Sequence, residues 1–69
     1  MNFNYSKLLG RIREYGFTQE NLAKEIGVSL STMNAKLKNR GFFSGDEIYR
    51  ICKLLKIATN EIGDYFFTD

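Results

Sequence analysis

The segment TQENLAKEIGVSLSTM, at residues 18–33, has the pattern of two short helices joined by a tight turn. Thr18 and Ser29 are of a type that often precedes a helix, because their hydroxyl groups accept hydrogen bonds from free backbone N–H groups. Gly27 tolerates the left-handed backbone conformation that ends many helices. The stretch therefore predicts a helix over residues 19–26, a turn of Gly27, Val28 and Ser29, and a second helix over residues 30–39.

A turn this short makes the two helices cross at a steep angle. Ala23 is the small residue at which they can approach each other, and apolar residues on both sides can seal the joint from inside: Ile26, Val28, Met33 and Leu37. This arrangement presents one face of the second helix to the outside on a rigid base. A helix has about the width that the major groove of double-stranded DNA accepts.

Three more helices are predicted around this pair. Apolar residues recur with the helical period over residues 5–15, where Asn4 is a plausible N-cap and Gly16 a plausible end. Ser44 and Glu47 have the spacing of a capping box before a fourth helix, and a final short helix begins near Thr59 or Asn60. We expect an all-α fold of five helices forming a single domain over residues 1–69.

The composition argues against several classes of protein. The 69 residues include no His and one Cys, so the commonest general base and metal ligand are missing and no zinc cluster can form. We therefore expect no enzyme, no catalytic residue, no metal, no cofactor and no small-molecule ligand. No apolar run is long enough to cross a membrane, and we expect no membrane partner and a location in the cytoplasm of a bacterial host. Cys52 is interpreted as a buried structural thiol.

Charge and side-chain size favour DNA as a partner of the predicted second helix. Residues 1–40 carry seven basic and three acidic residues, and residues 30–43 carry three basic residues and no acidic one. Such a patch attracts phosphates, although charge alone fits a solvated helix face equally well. The outward residues are short, which lets them approach base edges, and cations follow them: Ser29, Ser31, Thr32, Asn34 and Ala35, then Lys36, Lys38 and Arg40. An Asn amide can match the edge of adenine.

The signature TQ-x-x-LA-x-x-IGVS-x-ST resembles the helix-turn-helix of the Cro/repressor family, whose domains are lambda-repressor-like and have five helices. The resemblance covers nearly the whole chain. The segment from Phe43 onward, with Asp46-Glu47-Ile48 and residues 61–67, looks like short Cro-type regulators of phages and prophages of Gram-positive bacteria. The resemblance implies a compact lambda-repressor-like DNA-binding domain.

The resemblance also assigns roles to individual residues. It implies base reading by Ser29, Leu30, Ser31, Asn34, Ala35 and Lys38. It implies phosphate contacts from Gln19, at the start of the second helix, and from Asn39 and Arg40; by their chemistry we add Thr32 and Lys36. One departure affects two positions. The family usually buries an aliphatic residue where Lys36 stands, so a slightly rotated helix would change the roles of Lys36 and Leu30, and partial burial of Leu30 is favoured.

These observations lead to an expected function and a rival one. We expect a sequence-specific regulator of transcription, a Cro-like repressor, that occupies a double-stranded DNA operator through the major groove. We expect a homodimer at least on DNA, because one small domain rarely achieves operator specificity alone. The residues Tyr65, Phe66 and Phe67 fit a dimer contact or packing at the chain end equally well. The alternative is a protein-interaction module on the same fold, an antirepressor or an antitoxin.

Overall fold

The computed structural model describes residues 2–69, and the expected all-α fold of five helices is confirmed for them. No β-strand occurs in that part of the chain. The α-helices are α1 (Ser6–Glu14), α2 (Gln19–Ile26), α3 (Leu30–Leu37), α4 (Gly45–Leu55) and α5 (Ile62–Phe66), and a short 3-10 helix (Thr59–Glu61) precedes α5.

Hydroxyl groups fix the first residue of three helices. The side chains of Thr18 and Ser29 accept hydrogen bonds from the backbone N–H groups of Asn21 and Thr32, at 3.0 and 3.1 Å. Ser44 and Glu47 form a reciprocal capping box in which each side chain accepts from the other's backbone N–H. These bonds satisfy donors that the first turn of a helix leaves free, so α2, α3 and α4 begin where the sequence predicts.

The first helix is slightly shorter than predicted, and its N-cap is Tyr5 rather than Asn4. The Asn4 side chain still accepts a hydrogen bond, from the backbone N–H of Ser6 at 2.9 Å. Gly16 follows the helix with a φ of 79°, which is the left-handed conformation expected at a helix end.

A single apolar core lies between the helices. It contains residues of all five helices, together with Tyr5 and Ile57; the helical members are Leu8, Ile12, Leu22, Ala23, Ile26, Met33, Ile51, Cys52, Leu55, Tyr65 and Phe66. Of the aromatic trio at the end of the chain, Tyr65 and Phe66 are buried whereas Phe67 stays exposed. The core thus supports α3 through Met33, its one fully buried residue, and leaves the rest of that short helix near the surface.

Arg11 ties α1 to the end of α4. Its Nε donates to the carbonyl oxygen of Leu55 and its Nη2 to that of Lys56, both at 2.9 Å, and its guanidinium stacks 4.5 Å from the Tyr15 ring centroid. A cation at this place satisfies carbonyl groups that the last turn of a helix leaves free. Arg11 is therefore part of the framework and not of a free basic surface.

Two predicted elements differ in extent from those observed. The third helix ends at Leu37 and not at Asn39, because Lys38 is its C-cap and Asn39 has a φ of 64°, outside the helical region. The last helix is preceded by a 3-10 turn in which Glu61 Oε1 accepts from the Ala58 N–H. In the range that the structure covers, no helix is both long enough and apolar enough to cross a membrane.

Candidate functional site

The turn between α2 and α3 is closed by backbone hydrogen bonds. Gly27 has a φ of 83°, and its N–H and that of Val28 point back to carbonyl groups in the last turn of α2. The Val28 N–H donates to the Ala23 carbonyl at 2.9 Å. The predicted three-residue turn is thus present, with its glycine in the conformation that glycine adopts most readily.

The inner side of α3 packs on α2 as the sequence predicts. Ala23, Ile26 and Met33 are buried, and Val28 and Leu37 are partly buried against the same core. Because residues three and four positions apart share one side of a helix, anchoring Met33 and Leu37 inside directs Asn34 and Ala35 outward. The anchors therefore determine which side chains α3 can present to a partner.

The outward side of α3 and the two cations that follow the helix form a surface that we call the α3 surface, defined by Ser31, Asn34, Ala35, Lys38 and Arg40. Ser31, Lys38 and Arg40 are exposed, whereas Asn34 and Ala35 are half-buried. The spacings from Ser31 to Asn34 and Ala35, and from Asn34 to Lys38, are three or four residues and place these side chains on one side of the helix. Gln19, at the start of α2, is half-buried.

Three hydroxyl groups meet at the start of α3. The Ser29 hydroxyl accepts from the Thr32 N–H, donates to Thr32 Oγ1 at 2.9 Å, and lies 3.3 Å from Ser31 Oγ. The Ser29 hydroxyl is therefore used to cap the helix, and Thr32 Oγ1 accepts the hydrogen bond that this hydroxyl donates. Ser31 keeps the most freedom to meet a partner.

Lys36 occupies a different place from the one expected of a phosphate contact. Its Nζ lies 2.6 Å from Glu47 Oε1 on α4, and the two side chains are only 17% and 14% exposed. The burial of the Glu47 carboxyl would raise its pKa, but the hydrogen bonds from Lys36 and from the Ser44 N–H hold that pKa below its usual value. The charge of Lys36 is thus neutralised within the protein, and we leave Lys36 out of the α3 surface.

Asn39 is also engaged within the protein. Its Oδ1 accepts from the Phe3 N–H at 2.8 Å and its Nδ2 donates to the Phe3 carbonyl at 2.9 Å. The expected role of Asn39 as a phosphate contact would require this side chain to give up both bonds. An Asn at the end of a predicted helix can indicate a left-handed residue there, because Asn tolerates that conformation better than most residues.

Two large apolar side chains in and just after α3 are exposed. Leu30 is 39% exposed, so that it is partly buried, and Phe42 is 72% exposed. Phe43 is the one of the two adjacent phenylalanines that packs inward, with its ring 5.6 Å from those of Tyr5 and Phe66. Sequence reasoning did not identify Phe42 as a surface residue because adjacent apolar residues do not show which of them turns inward.

A family model described as a protein of unknown function, DUF739, matches residues 1–69. The chain belongs to the DUF739 family. The expected membership of the Cro/repressor family, and the likeness to short Cro-type regulators of Gram-positive phages and prophages, is therefore wrong.

The reason for the error is physical. The signature on residues 18–33 describes a joint, with hydroxyl caps, a small residue at the crossing and a glycine turn. Hydroxyl caps and a turn glycine are favoured wherever two short helices are joined in this way, so the signature describes the joint and does not by itself identify the family.

A solved structure agrees with this correction. The DUF739 chain is 37% identical to the modulator of repression (MOR) of the temperate bacteriophage TP901-1 from Lactococcus lactis, known from a solution structure, with a TM-score of 0.80. The match covers 97% of this chain and 90% of the other. A search among curated proteins finds no match. The chain is thus similar in fold and sequence to a phage regulatory protein.

Proposed function

We propose that this DUF739 protein regulates a phage repression switch and that it binds its target through the α3 surface. The likeness to a phage modulator of repression, at 37% identity over 97% of the chain, supports the regulatory role. The α3 surface supports the place of binding, because it combines exposed and half-buried polar side chains, on a helix that is anchored from inside, with two exposed cations that follow the helix. A regulator of this kind works in the cytoplasm of the bacterial host.

Double-stranded DNA is the target that the α3 surface favours, and one observation carries this choice. Short polar residues lie on one side of α3, two exposed cations, Lys38 and Arg40, follow its last turn, and residues 29–43 contain no acid. In this proposal α2 and α3 act as a helix-turn-helix, and α3 enters the major groove. Occupancy of an operator then excludes other proteins from the same DNA.

The proposed contacts differ in kind. Asn34 is proposed to read a base, since its amide offers a donor and an acceptor together, and Ser31 and Ala35 allow close approach to base edges. Lys38 sits at the end of the helix and reaches guanine or phosphate. Arg40 and Gln19 are proposed phosphate contacts, Gln19 because the N–H groups that begin a helix favour anions. Ser29, Thr32 and Asn39 would have to exchange internal hydrogen bonds for contacts with DNA.

Dimerisation on DNA remains part of the proposal. One domain of this size covers about 600–1,000 Å² of protein surface on DNA, which rarely gives operator specificity alone. Two copies related by a two-fold axis would meet half-sites roughly 34–36 Å apart. The operator would then be a pseudo-palindrome.

A repressor protein is a second candidate target, and a specific observation favours it. Leu30, the first residue of α3, and Phe42, in the segment that follows the helix, are exposed apolar side chains, at 39% and 72%. Lys36 and Asn39 are occupied within the protein, so fewer groups than expected are free for phosphates. Aromatic and aliphatic anchors beside a polar surface are typical of protein interfaces. In this case the protein would modulate repression by binding the repressor, as an antirepressor does.

One experiment distinguishes the two targets. The protein is first used to select duplexes from a random DNA pool, and its affinity for the selected duplex is measured at two salt concentrations. In a parallel titration, binding of the protein to the repressor encoded by the same phage genome is measured. An enriched sequence whose affinity falls steeply with salt supports DNA binding, because phosphate contacts release counterions. No enrichment, together with a complex with the repressor that Phe42→Ser weakens, supports the second candidate. Absence of both kinds of complex would overturn the proposed regulatory role.

A further inference from the structure

The N-terminal segment is fastened to the end of α3 by a single side chain. Asn39 meets both backbone groups of Phe3, with its Oδ1 accepting at 2.8 Å and its Nδ2 donating at 2.9 Å. The two residues are 36 positions apart in the chain. Only an amide side chain offers a donor and an acceptor in this arrangement, so neither Leu nor Lys could replace it.

Asn39 meets a second requirement at the same position. Its φ is 64°, in the left-handed region, where the chain leaves α3. Asn is one of the few residues other than glycine that adopt this conformation readily. One residue type therefore satisfies the backbone turn and the paired hydrogen bonds together.

The N-terminal segment also contacts the last residues of the chain. The Asn4 N–H donates to the Thr68 carbonyl, and the Phe3 ring packs edge-to-face on that of Phe67 with centroids 5.5 Å apart. Residues 3–4 thus bridge the end of α3 and the end of the chain. The bridge is independent of the α2–α3 turn that anchors the start of α3.

The residues on either side of Asn39 are the cations of the α3 surface. Lys38 and Arg40 are exposed, and the backbone around them is otherwise held by local bonds, such as that from the Arg40 N–H to the Ala35 carbonyl. Met33 is the fully buried anchor of α3 and lies in its first half. Leu37 and the Lys36–Glu47 pair hold the chain before both cations, and the contact of Asn39 with Phe3 is the long-range link that lies between them in the sequence.

We propose that Asn39 is a positioning residue, which holds Lys38 and Arg40 in place by clamping the N-terminal segment to the end of α3. The importance of this clamp for binding rests on the proposed function of the α3 surface. The clamp itself is a property of the free protein. It makes the N-terminal segment part of the support of the surface, although that segment lies more than thirty residues away in the sequence.

Asn39→Gly tests the clamp without straining the turn, because glycine keeps the positive φ and removes only the amide. Asn60→Gly, in the 3-10 helix, is the matched control. In the ligand-free full chain, NMR is used to measure hydrogen exchange at the Phe3 amide and order parameters at the Lys38 and Arg40 amides. We expect exchange at Phe3 to rise about tenfold or more, and both order parameters to fall, in Asn39→Gly alone.

Asn39→Asp provides a milder variant if Asn39→Gly does not fold. It tolerates the same backbone and keeps the acceptor for the Phe3 N–H, but it loses the donor to the Phe3 carbonyl, so an intermediate change is expected. The proposal would be overturned if a variant that has lost the Phe3 bonds kept the same order parameters at Lys38 and Arg40 as the wild type. An unchanged Phe3 exchange rate in both variants would overturn it too.

A binding measurement then separates this proposal from the proposed function. Titration of the selected duplex is expected to give an affinity about three- to tenfold lower for Asn39→Gly than for Asn60→Gly, from the loss of ordered phosphate contacts. If the wild-type chain selects no duplex, the DNA proposal fails. The order parameters at Lys38 and Arg40 still test whether Asn39 holds these residues in place. If the duplex binds both variants equally, the clamp does not position the cations for binding.

Discussion

Lys36 Nζ lies 2.6 Å from Glu47 Oε1, and this ion pair joins the helix that carries the candidate surface to the helix behind it. The same carboxylate oxygen accepts from the Ser44 N–H at 2.8 Å, so it also completes the capping box of α4. The ammonium lies 5.9 Å from the centroid of the Phe43 ring. A residue that the sequence placed on the DNA side of α3 therefore helps to fix the position of α3 against α4.

Removing the charge of Glu47 should destabilise the fold. Glu47→Gln leaves the largely buried ammonium of Lys36 without its counterion, and we expect the free energy of unfolding to fall by about 1–3 kcal/mol. Urea denaturation followed by circular dichroism measures this change. Asp46→Asn is the matched control, because the Asp46 pair with Arg50 is 69% and 51% exposed and is expected to contribute less than about 1 kcal/mol. Equal losses for the two variants would contradict the role of the Lys36 pair.

The same carboxylate should make stability depend on pH. The pKa of Glu47 is lower in the folded protein than its ordinary value of 4.5, so the folded state favours the ionised form. The stabilisation is therefore fully present above the ordinary pKa and is lost as the pH falls through the lowered folded value. We expect the urea midpoints of wild type and Glu47→Gln to differ by a constant amount near neutral pH and to converge on acidification. A gap that widens in acid would show the opposite sign.

Two glycines should respond to alanine in opposite directions. Gly27 has a φ of 83° in the α2–α3 turn, where a Cβ is strained, and Gly27→Ala should destabilise the protein by about 1–2 kcal/mol. Gly10 lies inside α1 with open space around its missing Cβ, and Gly10→Ala should stabilise it by about 0.5–1 kcal/mol. Thermal denaturation measures both, since about 1 kcal/mol shifts the midpoint by roughly 4–8 °C in a domain of this size. Destabilisation by Gly10→Ala would argue against this account of α1.

Asn34 and Lys38 should contribute differently to DNA binding. Asn34→Ala removes a proposed base contact and should weaken binding to the selected duplex by about 1–3 kcal/mol while relaxing one base position. Lys38→Ala should weaken binding to every sequence and reduce the salt slope by about 1. Fluorescence anisotropy with the selected duplex and a scrambled one measures both effects. Equal losses on the two duplexes for both variants would contradict the assignment of these roles.

Local chemistry explains which parts of the structure were predictable. The hydroxyl caps at Thr18, Ser29 and Ser44 and the glycine at position 27 act through neighbouring backbone groups, so the starts of α2, α3 and α4 follow from a few adjacent residues. The apolar period of each helix also identified most of the core. The end of α3 was less predictable, because the bonds of Asn39 depend on a residue far away in the sequence.

The five helices, the three-residue turn and the inward side of α3 follow from the amino-acid sequence, since each depends on interactions within one or two helical turns. Which polar residues in and after α3 remain available to a partner depends on how the helices pack. Lys36 is paired with Glu47 of α4, Asn39 is paired with Phe3, and Phe42 turns outward while Phe43 packs inward. Packing brings distant charges and backbone groups within hydrogen-bond distance, and a side chain that bonds inside the protein is no longer free to bind a partner.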